Sequence, residues 1–122
     1  NFKQINDTLG HHVGDETLKF VGELIRASIR DEDYAIRTGG DEFIILMPGC
    51  TMQRVRDFAD RFRKLYADHA RTRMSGLAGL GVSFGIATTF RSGVRSAGDL
   101  INAADEKLYQ AKKSGKNQAA EL

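Results

Sequence analysis

The chain has 122 residues, 41% of them hydrophobic and 28% charged, with a formal net charge of +2 at neutral pH. That length supports one hydrophobic core and excludes two comfortable ones, and the near-neutral balance gives no electrostatic footing on long nucleic acid or on an anionic membrane. A lone cysteine, Cys50, excludes an internal disulfide, and no apolar run approaches a membrane span or a signal peptide. A reducing cytoplasm fits, with any membrane tether lying in segments outside this chain. Cys50 follows Pro48-Gly49 without a nearby histidine or second thiol to activate it, so it reads as a small apolar filler.

In chain order, a short helical turn is expected over Phe2 to Asn6, followed by a loop over Thr8 to Gly14. A longer helix then places Leu18, Val21, Leu24, Ile25, Ser28 and Ile29 on one face. Tyr34 to Thr38 has the β-branched and aromatic character of a strand, and Ile44 to Met47 that of a buried second strand. Between them Gly39-Gly40 tolerates the positive φ values that hairpin turns use. Thr51 caps a second long helix with Val55, Phe58, Ala59, Phe62, Leu65 and Tyr66 inward, ending in the polar, glycine-bearing stretch Asp68 to Gly79. Gly81 to Thr88 is expected as a strand and Thr89 to Arg95 as a loop. Ser96-Ala97-Gly98-Asp99 has the form of a capping box opening a third helix with Leu100, Ile101, Ala104, Leu108 and Ala111 inward, and Gly115 closes it. There is no internal repeat, low-complexity tract or linker.

The order helix, strand, strand, helix, strand, helix predicts an α+β fold of ferredoxin-like type: an antiparallel-rich central sheet flanked by helices, with its first strand missing from this chain. In a βαββαβ arrangement the opening strand runs through the middle of the sheet, and its removal would leave unpaired backbone groups on both neighbours. Residues 1–122 are therefore expected to be one domain excised from a longer multidomain protein whose preceding segment supplies that strand.

The bend of the hairpin carries the chemistry. Gly39-Gly40-Asp41-Glu42-Phe43 sets two adjacent carboxylates beside a glycine pair. Neighbouring carboxylates repel each other, a cost that a divalent cation removes, and their hard oxygens suit magnesium or manganese. A solvated polar turn accounts for the same residues.

Arg37-Thr38-Gly39-Gly40-Asp41-Glu42-Phe43 resembles the signature of the GGDEF-domain diguanylate cyclases, bacterial enzymes that condense two GTP molecules into cyclic dimeric GMP (c-di-GMP). Further segments match at the family's spacing: Asn1 to Asp7, Gly14-Asp15, Val82 to Ala87, and Ala104 to Lys112. Ordered matches over nearly the whole chain are far more specific than one short motif. The resemblance implies a nucleotide-cyclase palm, GTP as substrate, Mg2+ or Mn2+ as cofactor, and a homodimer in which each protomer carries one GTP. It also implies an upstream sensory or regulatory domain that imposes dimerisation, so that the isolated domain is slow or inactive.

Carried over position by position, the resemblance gives Asp41 metal ligation and proton acceptance, with Glu42 as a further metal or outer-shell ligand beside Gly39 and Gly40; the sequence does not fix which carboxylate takes the proton. A further metal-binding aspartate of the family falls before Asn1. Lys3 stands where the family steadies phosphate charge. Asn6 and Asp15 stand where it reads guanine, an amide meeting O6 or N7 and a carboxylate accepting from the N1 and N2 hydrogens. Lys112 and Lys116 match the triphosphate clamp, although the second position is more often arginine, and lysine lacks the bidentate fork. Without the family, Lys3 is a solvated lysine, Asn6 a turn former, Asp15 a helix cap, and the late lysines compensate a helix C-terminus.

Arg30 and Asp33 match the family's RxxD inhibitory product site, with Arg61 as a candidate third member. There the arginine fork meets the Hoogsteen edge of guanine and the carboxylate holds the Watson-Crick edge. A local ion pair at a helix end explains the same pair.

Two functions of other classes compete with the cyclase. One is a catalytically silent receptor for c-di-GMP or GTP, against which the intact Asp41 and Glu42 stand. The other is an RNA-binding ferredoxin-like module, which needs exposed aromatics on central strands and a basic sheet face. Glycine-rich Gly76 to Gly81 precedes a strand and opens no helix, so it is no phosphate loop. His11-His12 and His69 lack the spacing of a zinc site.

Overall fold

The structure, a computed structural model, describes residues 2–73, 81–90 and 92–115 together with the backbone of Ala119–Glu121. Its elements are α1 Phe2–Leu9, α2 His11–Ser28, β1 Tyr34–Gly39, β2 Glu42–Leu46, α3 Met52–Arg73, β3 Phe84–Ile86, α4 Ala97–Lys113 and β4 Ala119–Glu121. The mixture is the expected α+β.

At the N-terminal end the expected loop over 8–14 is helix instead. Only Gly10, at φ 90, separates α1 from α2. Turn-forming Thr8 and Gly14 are overridden because Ile5, Leu9 and Val13 recur at helical spacing and pack with Tyr66 and Ala70 of α3. Burial of such a stripe outweighs weak local preference. The glycine kink then lets α2 continue from α1 in a new direction without opening that stripe.

A second cluster joins Ile25 of α2 and Phe58 and Phe62 of α3 to Phe43 and Ile45 of β2, Met47 just after it, and Phe84 of β3. Phe84 meets Phe58 and Phe62 edge to face, with centroids 6.4 and 5.7 Å apart, an arrangement the ring quadrupoles favour. Because neighbouring strand residues point to opposite faces, Gly85 faces away from this cluster, and α4 packs there. A Cβ on Gly85 would fall 2.1 Å from the Ala104 carbonyl oxygen and 2.3 Å from the Leu108 nitrogen. The backbones of β3 and α4 are thus in direct contact, which only glycine permits.

β1 and β2 pair antiparallel, Tyr34 opposite Leu46 and Ile36 opposite Ile44, with a register shift between Arg37 and Gly39. β3 pairs in parallel with β4, a strand the sequence reading lacks. Among the described residues the expected central sheet is therefore divided into two pairs, which share the cover of α2 and α3 through Phe43, Ile45 and Phe84. The strand expected over 81–88 is reduced to Phe84–Ile86, the residues that find partners in β4.

Both predicted caps form. Thr51 Oγ1 accepts from Arg54 N at 3.3 Å; Ser96 Oγ accepts from Asp99 N at 3.1 Å, and Asp99 Oδ2 accepts in return from Arg95 N at 3.0 Å. α3 runs on through Asp68 to Arg73, further than expected. Leu65 and Ile101, expected inward, are each 42% exposed. The glycine-rich segment over 74–80 lies outside the described residues. No described helix is long and apolar enough to cross a membrane.

Candidate active site

The two strands of the hairpin end at Gly39 and Glu42, leaving Gly40 and Asp41 at the bend. Neither glycine takes the positive φ expected of the turn. The register shift before Gly39 accommodates the bend instead. A Cβ built on either glycine meets nothing within 4 Å, so these positions leave open space, where a ligand can approach the backbone closely.

Arg37 secures the bend from below. Its Nη2 donates to the Gly40 carbonyl at 2.7 Å, and its Nε donates to the same oxygen at 3.1 Å and to the Gly39 carbonyl at 3.4 Å. This role of Arg37 is not visible in the sequence, where the residue stands only as part of the motif, because the reach of a side chain back to its own turn leaves no separate signal. Asp41 and Glu42 are both exposed. From the far end of the chain, Lys112 of α4 brings its Nζ to 3.9 Å from Glu42 Oε1. An exposed pair of this length adds little stability; its value is that it sets a cation beside the acidic bend. Lys116, the other member of the expected clamp, lies outside the described residues.

The donor set suits a small hard cation. Mg2+ is commonly held by one or two carboxylates, with waters and substrate phosphates completing the shell, and Asp41 and Glu42 offer that number in an open position. Among the described residues no group of three or more His, Cys, Asp and Glu could hold a metal ion. His69 lies flat on Phe20, centroids 3.7 Å apart and planes 7° from parallel, and burial pulls its pKa down.

Lys3 is exposed on the first turn of α1. Asn6, one turn on, lies against Gly14 of α2, and its Oδ1 is buried without a hydrogen-bond partner. Asp15 is exposed in the first turns of α2 and lines a groove of about 550 Å³ between α2 and the hairpin, together with His12, Lys19, Arg37 and Phe43. The groove connects the predicted base reader to the strand leading into the acidic bend. Asn6 lies against Gly14, the residue before Asp15, whereas Glu42 and Lys112 meet beside Asp41 at the hairpin tip.

Arg30 and Asp33 also meet, as a closed ion pair. Arg30 Nη2 donates to Asp33 Oδ1 at 2.7 Å, and Nε contacts Oδ1 and Oδ2 at 3.2 and 3.1 Å. The Arg30 backbone N–H donates to Asp33 Oδ2 at 2.8 Å, and Nη2 also reaches the Pro48 carbonyl at 2.9 Å. The hydrogen bond from Arg30 holds the Asp33 carboxyl below its usual range, against burial, which acts the other way, and Asp33 in turn raises Arg30. The Asp33 side chain is 0% exposed while that of Arg30 is 31% exposed, with Nη1 turned to Glu32 Oε1 at 3.2 Å. In this arrangement Asp33 does not present the Watson-Crick contact expected of it; Arg30 keeps the outward edge. Arg61 is exposed on α3.

The profile of the family described as "Diguanylate cyclase, GGDEF domain" matches residues 1–118. Diguanylate cyclase DgcS of Shewanella oneidensis is 38% identical over 117 residues, covering 96% of this chain and 38% of that protein. Diguanylate cyclase DosC of Escherichia coli is 35% identical over 117 residues, covering 96% of this chain and 25% of that protein. The chain therefore spans only about a quarter to two fifths of these relatives. The active GGEEF domain of a diguanylate cyclase from Vibrio cholerae superposes with a TM-score of 0.84 at 30% identity, covering 99% of this chain and 76% of that one. The coiled coil and GGDEF domain of DgcB from Caulobacter crescentus, in complex with c-di-GMP, superposes with a TM-score of 0.80 at 26% identity, covering 100% of this chain and 64% of that one. With Asp41 and Glu42 at the tip of the hairpin and a family match running from the first residue nearly to the last, the chain belongs to the GGDEF diguanylate cyclase family.

Proposed function

We propose that these residues form the GTP-binding catalytic domain of a diguanylate cyclase, in which the 3′-hydroxyl of one GTP attacks the α-phosphate of another and releases pyrophosphate, each molecule reacting once. The observation that carries this reading is the convergence at the hairpin tip: exposed Asp41 and Glu42, a bend with open space over Gly39 and Gly40, and Lys112 arriving from α4. Phosphoryl transfer asks the protein mainly for positioning and electrostatic stabilisation, and these groups provide both.

Asn6 and Asp15 bind the base, and Lys3 and Lys112, with Lys116, bind phosphate oxygens. Asp41 accepts the proton of the attacking hydroxyl and, with Glu42, would hold the cation. Bound Mg2+ or Mn2+ supplies neutralisation of the phosphate charge. Two copies of the domain face each other, each carrying one GTP, under the control of a regulatory segment elsewhere in the full-length protein.

Product feedback belongs to the same proposal. Arg30, oriented by Asp33, exchanges its exposed contact with Glu32 for a guanine of c-di-GMP, with Arg61 as a second cation. Calorimetry on the full-length protein tests this site: Arg30→Ala is expected to weaken c-di-GMP binding by about tenfold or more, and an unchanged affinity would remove the site from the account. For the activity itself, the full-length protein incubated with GTP and Mg2+ should form c-di-GMP and pyrophosphate. Absence of product under dimerising conditions would favour the receptor reading.

A further inference from the structure

Gly14 is a buried glycine in α2. It has no positive φ, so its backbone asks nothing of glycine, and glycine is a poorer helix former than alanine. What the position lacks is room. A Cβ on Gly14 would lie 1.8 Å from Asn6 Oδ1, 2.9 Å from Asn6 Cγ and 3.4 Å from Phe2 Cε2. The carboxamide of Asn6 occupies the space that any other side chain at position 14 would fill. In that seat Asn6 Oδ1 is buried and makes no hydrogen bond, a pose that costs stability rather than adding to it. Because the amide is planar, seating Oδ1 against α2 turns the donor Nδ2 away from Gly14.

We propose that Gly14 is a positioning residue for base recognition: its missing side chain seats the Asn6 carboxamide so that Nδ2 is presented to the O6 or N7 acceptor of guanine. The proposal rests on the cyclase reading, which places guanine at Asn6 and Asp15. It predicts a defect confined to one edge of the base, since Asp15 addresses the N1 and N2 hydrogens independently.

The test is calorimetric binding of GTP, 6-thio-GTP, 7-deaza-GTP and ITP to the full-length protein. The unaltered protein should prefer GTP over at least one of the O6- and N7-modified analogues by about tenfold, and over ITP, which lacks the 2-amino group. Gly14→Ala should abolish the first preference, retain the second, and have no further effect in an Asn6→Ala background. Equal weakening of all nucleotides, equal weakening in both backgrounds, or unaltered GTP binding would overturn the proposal. If Gly14→Ala lowers the unfolding midpoint, Asn6→Ala/Gly14→Ala should recover it, and a double variant as unstable as the single one would also overturn the proposal. Loss of the GTP preference over ITP in the unaltered protein would instead defeat the cyclase reading, and the proposal with it.

Discussion

The corner between α1 and α2 and the tip of the β1–β2 hairpin are built in opposite ways. At the corner, the Asn6 amide lies on the bare backbone of Gly14, its oxygen buried and without a partner. At the tip, Asp41 and Glu42 stand in solvent beside glycines whose added Cβ would touch nothing within 4 Å, and Arg37 holds only the turn carbonyls. Under the proposed function, the contrast matches two different tasks. Discriminating one purine from another depends on a donor fixed in place before the ligand arrives, whereas stabilising a triphosphate depends on open carboxylates whose repulsion is relieved when cation and phosphates complete the site.

The largest effect should come from the open end. Asp41→Asn is expected to reduce c-di-GMP formation by about a hundredfold or more while leaving the unfolding midpoint unchanged, because the side chain is exposed. A comparable fall in stability would mean that the tip is a structural turn. Gly14→Ala comes next, at about tenfold, and must show itself as lost base discrimination rather than lost turnover. Gly85→Ala sharpens the comparison from outside the site. It forces β3 from α4 and should cost about 1–3 kcal/mol in denaturant unfolding, with the nucleotide preferences of the folded molecules intact.

The smallest effect concerns the pair at the end of α2. Asp33 titrates below its ordinary value of 3.8 because Arg30 donates to it. Its contribution to stability is therefore fully present above that value and is lost as pH falls through the lower, folded-state value. Asp33→Asn should be less stable than the unaltered protein at neutral pH, with the difference shrinking below about pH 4. A constant difference across that range would show that the pair carries no charge-dependent stability.

The hairpin, both helix caps and the acidic bend were legible in the sequence because their signals are local: β-branched runs, Thr51 and Ser96 ahead of helices, and carboxylates next to glycines. The helical character of residues 8–14 was not, since Thr8, Gly10 and Gly14 read as turn formers until Tyr66 and Ala70 are in place to receive Leu9 and Val13. Nor could the sequence show that Gly39 and Gly40 leave open space rather than supply a positive φ. Of the candidate site, the residues at the tip and, through the family resemblance, Lys112 were visible. The 3.9 Å approach of Lys112 to Glu42 and the grip of Arg37 on its own turn depend on contacts that spacing does not encode.

A crystal structure of the full-length protein with a nonhydrolysable GTP analogue and Mg2+ tests the central claim most directly. The account predicts a cation bound by Asp41 and Glu42 against the triphosphate, with the guanine edge at Asn6 and Asp15. Phosphates and cation bound away from the hairpin tip would contradict it.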